Sequence, residues 1–339
     1  MAEQLSSRTK RGNRLRVAAL VFVVVIVLPL LVNLVSVQPG AMIVKSIFES
    51  SPVVQTGPGF AEAAADVIIT RDIAILTEDA PTASIDVYQP KQPPAAALPI
   101  IMWVHGGGFI SGSKEQVGDY AIMLAHEGYI VASLDYTLAP SAQYPTPIRQ
   151  GNAALQYLSD HAATWGGDVT RIFVGGDSAG SHIASSLAAL QTNPALASAL
   201  GLTPAIPAEY LRGALLFCGL YNMSTVGSTG FPFIRTFLWS YTGYRDWMAF
   251  PQIDQLSTTL QVTSAFPPTF LTVGDADPFQ SQAFELETVL RQHGVDVTTQ
   301  YWNDTGAGLN HEYQFNFTLP EANTTFSETL AFLAKYAES

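Results

Sequence analysis

Between residues 67 and 337, short apolar runs alternate with longer amphipathic ones, and no other feature restricts the chain as much. Residues 99–104 and 129–134 are apolar without alternation, the pattern of central parallel strands buried on both faces. Further strands are expected at 171–175, 211–216, 268–273 and 295–302. Helices are expected at 117–126, 146–165, 179–190, 282–293 and 322–337. Residues 67–76 and 84–88, flanking Asp79-Ala80-Pro81, predict an opening hairpin. Such alternation implies an α/β fold, with a mostly parallel, doubly wound sheet and helices on both faces. Residues 66–339 read as one domain. Residues 221–266 break the rhythm with Phe231, Phe233, Phe237, Trp239, Tyr241, Tyr244, Trp247 and Phe250. They predict a small cap insertion over the strands' C-terminal ends, where doubly wound sheets bind ligands.

The first residues follow another logic. Residues 17–37 are almost continuously aliphatic and, as a helix, would rise roughly 32 Å, close to the thickness of a bilayer core. Residues 1–16 form a basic tail with Arg8, Lys10, Arg11, Arg14 and Arg16 against Glu3 alone. By the positive-inside rule the tail stays cytoplasmic, residues 17–37 form a single-pass anchor, and the body lies across the membrane. Secretion after signal cleavage is the alternative, although a signal's apolar region spans only about 7–15 residues. Residues 38–65, with Pro52, Gly57, Pro58 and Gly59, read as a linker.

Composition excludes other classes. The net charge of −12 combines a basic first segment with a strongly acidic body, which offers no face for nucleic acid. One cysteine, Cys218, excludes an internal disulfide framework and a cysteine-rich zinc site, and no His-Glu-x-x-His motif is present. Cys218, in an apolar run, reads as a buried core residue.

Two glycine motifs carry the chemistry. Gly176-Asp177-Ser178-Ala179-Gly180 stands between a predicted strand and a predicted helix. A sharp turn there forces the serine into a strained conformation, and only glycine lets the neighbouring chains pass. His105-Gly106-Gly107-Gly108 follows a central strand directly. The N–H groups of Gly107, Gly108 and Ala179 can hold the oxyanion of a tetrahedral intermediate. The lysine of Ser113-Lys114 comes one place late for a phosphate-binding loop, and no helix starts there.

Of six histidines, His105 belongs to the glycine turn, while His126, His161 and His293 lie late in predicted helices. His182 is carried away from Ser178 by its own helix. His311, in the loop after the last strand, remains as the base. Its carboxylate partner should precede it on the loop after residues 268–273, where Asp275 and Asp277 both qualify.

These residues resemble the hormone-sensitive-lipase family of α/β-hydrolase carboxylesterases over residues 83–337. The resemblance rests on His105-Gly-Gly-Gly-Phe109, Asp135-Tyr-Thr-Leu-Ala-Pro140, Gly176-Asp-Ser-Ala-Gly180, Phe266-Pro-Pro-Thr269, Asp277-Pro-Phe279 and His311. It implies an α/β-hydrolase fold and hydrolysis of short-chain or small aromatic esters, with no cofactor and no metal. It implies Ser178 as nucleophile, His311 as base and Asp277, not Asp275, as the acid. Thr137 stands where the family usually has arginine, and the family's N-terminal cap helices are not evident. An amidase, arylformamidase or carbohydrate-ester deacetylase on the same triad is the alternative, and a silent hydrolase-like binding module a third.

Overall fold

The alternating runs assemble into one eight-stranded sheet in a computed structural model that describes residues 32, 35–49, 53–77, 80–303 and 305–338. The strands are β1 (Val67–Ile75), β2 (Ala83–Pro90), β3 (Leu98–Val104), β4 (Ile130–Asp135), β5 (Gly167–Asp177), β6 (Leu211–Phe217), β7 (Thr269–Val273) and β8 (Val297–Tyr301). Their order is β1-β2-β4-β3-β5-β6-β7-β8; β2 runs antiparallel to both β1 and β4, and every pair from β4 to β8 is parallel. The helices used below are α1 (Gln38–Phe48), α2 (Phe60–Ala65), α3 (Gly118–His126), α4 (Thr146–His161), α5 (Ser178–Thr192), α6 (Pro194–Leu200), α7 (Ile234–Thr242), α8 (Gln280–Gln292) and α9 (Pro320–Ala337).

Every residue of β3 is buried, as its unbroken apolar run requires. Side chains alternate across a strand, so Ile100, Met102 and Val104 enter one hydrophobic cluster while Ile101 and Trp103 enter the other. The first cluster takes Ile183 and Leu187 from α5; the second takes Tyr120 from α3 and Phe332 and Leu333 from α9. The sheet is therefore covered on both faces, and its loops are left to form a site at one edge.

The N-terminal readings need revision. Residues 38–65, expected as a linker, carry α1 and α2. Val37, Ala41 and Val44 are buried in the core, and Phe48 meets Phe237 of α7 edge to face at 5.6 Å. An N-terminal cap helix is thus present. The predicted anchor at 17–37 falls mostly outside the described residues; because Val37 belongs to the body's own core, a span must end before it. Among the described residues, no helix is long and apolar enough to cross a membrane. Helix α6 was not expected; Asn193 caps it by accepting the N–H groups of Ala195 and Leu196.

Candidate active site

Pairing of β3 with β5 aligns Trp103 with Gly175 and Val104 with Gly176, so the loops leaving both strands emerge side by side. Ser178 opens α5 immediately after β5, with φ at 52°. That left-handed conformation costs a serine roughly 1–3 kcal/mol and persists only where the surroundings enforce it. The surroundings are tight: a Cβ on Gly180 would lie 2.0 Å from the Val104 carbonyl oxygen, and one on Gly176 2.6 Å from the same atom.

The glycine loop is fixed from two sides. Asp177 is buried; one carboxylate oxygen accepts the Trp103 indole N–H at 2.9 Å and the other the Gly106 N–H at 2.8 Å. Burial and the nearby Glu312 carboxylate push the Asp177 carboxyl group up from its ordinary range, against the pull of those two donors. His105 stacks on Tyr136 with ring centroids 4.4 Å apart, and its Nδ1 lies 2.7 Å from the Gly106 carbonyl oxygen. Gly107 has φ of 102°, and a Cβ there would lie 2.2 Å from the Ser111 carbonyl oxygen. Gly107 and Gly108 line the cavity beside Ser178, while Ala179 is buried directly behind it as the second residue of α5.

His311 reaches Ser178 from the loop after β8. Its Nε2 lies 2.9 Å from Ser178 Oγ, and its Nδ1 lies 2.8 Å from Asp277 Oδ2. The other Asp277 oxygen accepts the Phe279 N–H at 2.8 Å, which fixes the carboxylate. Burial works against a charged His311 ring, but the Cys218 sulfur and the Asp277 carboxylate outweigh it and hold its proton affinity well above that of free imidazole. Asp275 has a different task. It accepts the N–H groups of Leu309 at 2.6 Å and Gly308 at 3.2 Å, and those bonds hold its carboxyl below the usual range. It thus braces the loop that carries His311.

Several contributors escaped the sequence. Cys218 is buried as expected, but beneath the site: its sulfur, one oxygen of Asp277 and one nitrogen of His311 lie within 4.8 Å of one another. Glu312 lines the cavity with Oε1 3.8 Å from His311 Nε2. Phe48, Val53 and Gln55 come from the presumed linker. The expected cap is partly right: Phe231, Ile234 and Phe237 line the cavity, whereas Tyr241 is buried flat against Phe109 at 3.9 Å. Thr137, in the arginine's place, is tied instead through Gln150, which accepts its N–H at 2.9 Å and donates to its hydroxyl at 2.8 Å. Lys114 faces Asp72, Asp86 and Glu115, so it has no part in a phosphate loop. The cavity encloses about 510 Å³.

The sheet order and the placement of this site at the C-terminal ends of β3, β5, β7 and β8 define an α/β-hydrolase. Residues 101–313 match the family described as alpha/beta hydrolase fold. The ethyl acetate hydrolase of Pseudomonas putida is 28% identical over 229 residues, 67% of this chain and 71% of that protein. Carboxylesterase NlhH of Mycobacterium tuberculosis is 42% identical over 94 residues, 27% of this chain and 30% of that one. The crystal structure of esterase B from Lactobacillus rhamnosis superposes with a TM-score of 0.71 at 24% identity, covering 82% of this chain and 90% of that one, a likeness of fold. The chain belongs to the hormone-sensitive-lipase-like family of α/β-hydrolase fold carboxylesterases, and it is a carboxylic-ester hydrolase.

Proposed function

We propose that the chain hydrolyses short-acyl and small aromatic carboxylic esters through Ser178, His311 and Asp277. The observation that carries this reading is the unbroken line from Ser178 Oγ to His311 Nε2 at 2.9 Å and from His311 Nδ1 to Asp277 Oδ2 at 2.8 Å. Ser178 Oγ bonds to the acyl carbon as its proton passes to His311 Nε2. The carbonyl electron pair moves onto oxygen, where the N–H groups of Gly107, Gly108 and Ala179 would receive it. Collapse breaks the bond to the alcohol, which departs with the proton from Nε2. Water then repeats the sequence on the acyl-enzyme, releasing the acid and restoring the serine. Asp277 accepts the Nδ1–H throughout, which fixes the tautomer.

The short-acyl preference rests on Phe237. A Cβ on Gly108 would lie 2.5 Å from the Phe237 ring, so the phenyl group is pressed onto the glycine loop in the cavity that holds Ser178. The relative from Pseudomonas putida carries a name that specifies ethyl acetate. Release of p-nitrophenol from esters of increasing acyl length tests the reading. Rates should fall beyond the butyrate, and Ser178→Ala should abolish turnover at every length. Equal turnover by wild type and Ser178→Ala would overturn it.

We further propose that the apolar stretch before Val35 anchors the body to a membrane, with the basic tail cytoplasmic. Val37 is buried in the body, whereas Val35, Met42 and Ile43 beside it are exposed apolar side chains, in keeping with a membrane surface nearby. Resistance to alkaline extraction is expected; a soluble product whose N-terminus lies beyond residue 37 would indicate signal cleavage instead.

A further inference from the structure

Glu312 follows His311 directly and holds a non-glycine residue in the left-handed region, with φ at 63°. That conformation aims its carboxylate into the cavity: Oε1 lies 3.8 Å from His311 Nε2, and a Cβ built on Gly106 would lie 3.0 Å from the same oxygen. The side chain is 25% exposed, and among the described residues its sole cationic partner within 4.0 Å is His311. Among the described residues, no lysine or arginine lines the cavity; its other acid, Asp177, is buried and turned to Trp103 and Gly106. Among the described residues, the cavity wall thus presents one accessible carboxylate, beside the nitrogen that protonates the departing alcohol.

We propose that Glu312 selects substrates by the charge of their alcohol part, favouring esters of amino alcohols and quaternary-ammonium alcohols and rejecting those whose alcohol part carries a carboxylate. The inference rests on the proposed roles of Ser178 and His311. The leaving oxygen must come within reach of His311 Nε2 to take its proton, so substituents on that oxygen sit beside the Glu312 carboxylate. Partly withdrawn from water, a unit charge at such range changes the relative transition-state energies of cationic and anionic esters by about tenfold or more in rate. The acyl part, held against Phe237, is not selected this way.

Three thioacetates with a common acyl group and thiol readout test the proposal: acetylthiocholine, its neutral 3,3-dimethylbutyl isostere, and the S-acetyl derivative of 3-mercaptopropionate. In the full-length wild type, kcat/KM should fall from cationic to neutral to anionic, with at least about a tenfold span between the extremes. In Glu312→Gln, and in Glu312→Asn, whose side chain tolerates a positive φ, the span should contract to within about threefold. Raising ionic strength from about 0.01 M to 1 M should narrow the wild-type span without any substitution. A span unchanged in both variants and insensitive to salt overturns the proposal, as does a preference for the anionic ester. The neutral thioester separates the two claims. Its hydrolysis and the loss of that hydrolysis in Ser178→Ala report on the triad, while the ratios among the three esters report on Glu312.

Discussion

Asp177 and Gly106 lie 71 positions apart in sequence, yet the carboxylate of the first accepts the backbone N–H of the second at 2.8 Å. With Trp103 on its other oxygen, Asp177 locks the glycine loop to the serine turn. Asp177→Asn should therefore lower kcat by about ten- to a hundredfold with little change in KM. One of the two donors would face an amide NH2 in place of an acceptor, and leaving a buried donor unsatisfied costs about 1–3 kcal/mol. Wild-type kcat in the variant would show that the loop holds its place without this tie.

The two aspartates of the β7 loop should separate sharply. Asp277→Asn removes the acceptor that fixes the His311 tautomer and should cost about four orders of magnitude in kcat. Asp275→Asn weakens the brace on the Leu309 and Gly308 N–H groups and should cost about tenfold, together with lower protection of those amides from hydrogen exchange. Equal losses in the two variants would contradict this division of labour.

With His311 as the proposed base, ester hydrolysis should follow its protonation, because only a neutral ring can accept a proton from Ser178. The Asp277 carboxylate, with the Cys218 sulfur, lifts its proton affinity over the opposing effect of burial. The acid limb of kcat/KM should therefore rise through a midpoint above the ordinary imidazole value of about 6.5. Histidine nitrogen resonances should give the same midpoint in wild type and a lower one in Asp277→Asn. A midpoint at or below the ordinary value in wild type would reverse the balance argued for this ring.

Phe237→Ala should shift the acyl preference toward longer chains if, as proposed, the ring pressed onto Gly108 bounds the acyl side of the cavity. The cost in stability should be about 3 kcal/mol, at the low end for a buried phenyl ring because the vacated space opens to the cavity. Activity profiles across acyl lengths and urea unfolding measure the two effects. A profile still falling beyond the butyrate would place the chain-length limit elsewhere.

Legibility of the fold followed physical uniqueness. β3 could be read because a run buried on both faces shows in seven consecutive side chains, and the serine turn because no side chain fits at Gly176 or Gly180. The sequence missed α1 because its inward face is small, Ala41 and Val44, and its helicity depends on packing against α7. Asp275 and Asp277 were indistinguishable from spacing alone, two positions apart on one loop; the backbone partners of each decide between them. Glu312 gave no signal, since its importance comes from the turn that aims it at His311 Nε2.

His182 should set part of the protein's acid sensitivity. It is fully buried in α5, with ring edges against Phe109 and Tyr241, and its Nδ1 donates to the Leu220 carbonyl oxygen at 3.0 Å. Burial depresses its pKa from 6.5 to about 4, with the Leu220 hydrogen bond opposing only in part. Above pH 6.5 the ring is neutral in both folded and unfolded chains, and the stabilisation is fully present. As pH falls toward 4 the unfolded chain takes up the proton first, so stability declines, by about 3 kcal/mol once the folded value is reached. Other buried groups add their own acid slopes, so the measurement is a difference: urea unfolding of wild type and His182→Gln from pH 7 to pH 4. The variant starts less stable, because the glutamine amide cannot reproduce the packing of the ring, but its curve should fall less steeply with acid. Parallel curves would show that His182 binds its proton equally well in both states, and burial at this position would then carry no acid penalty.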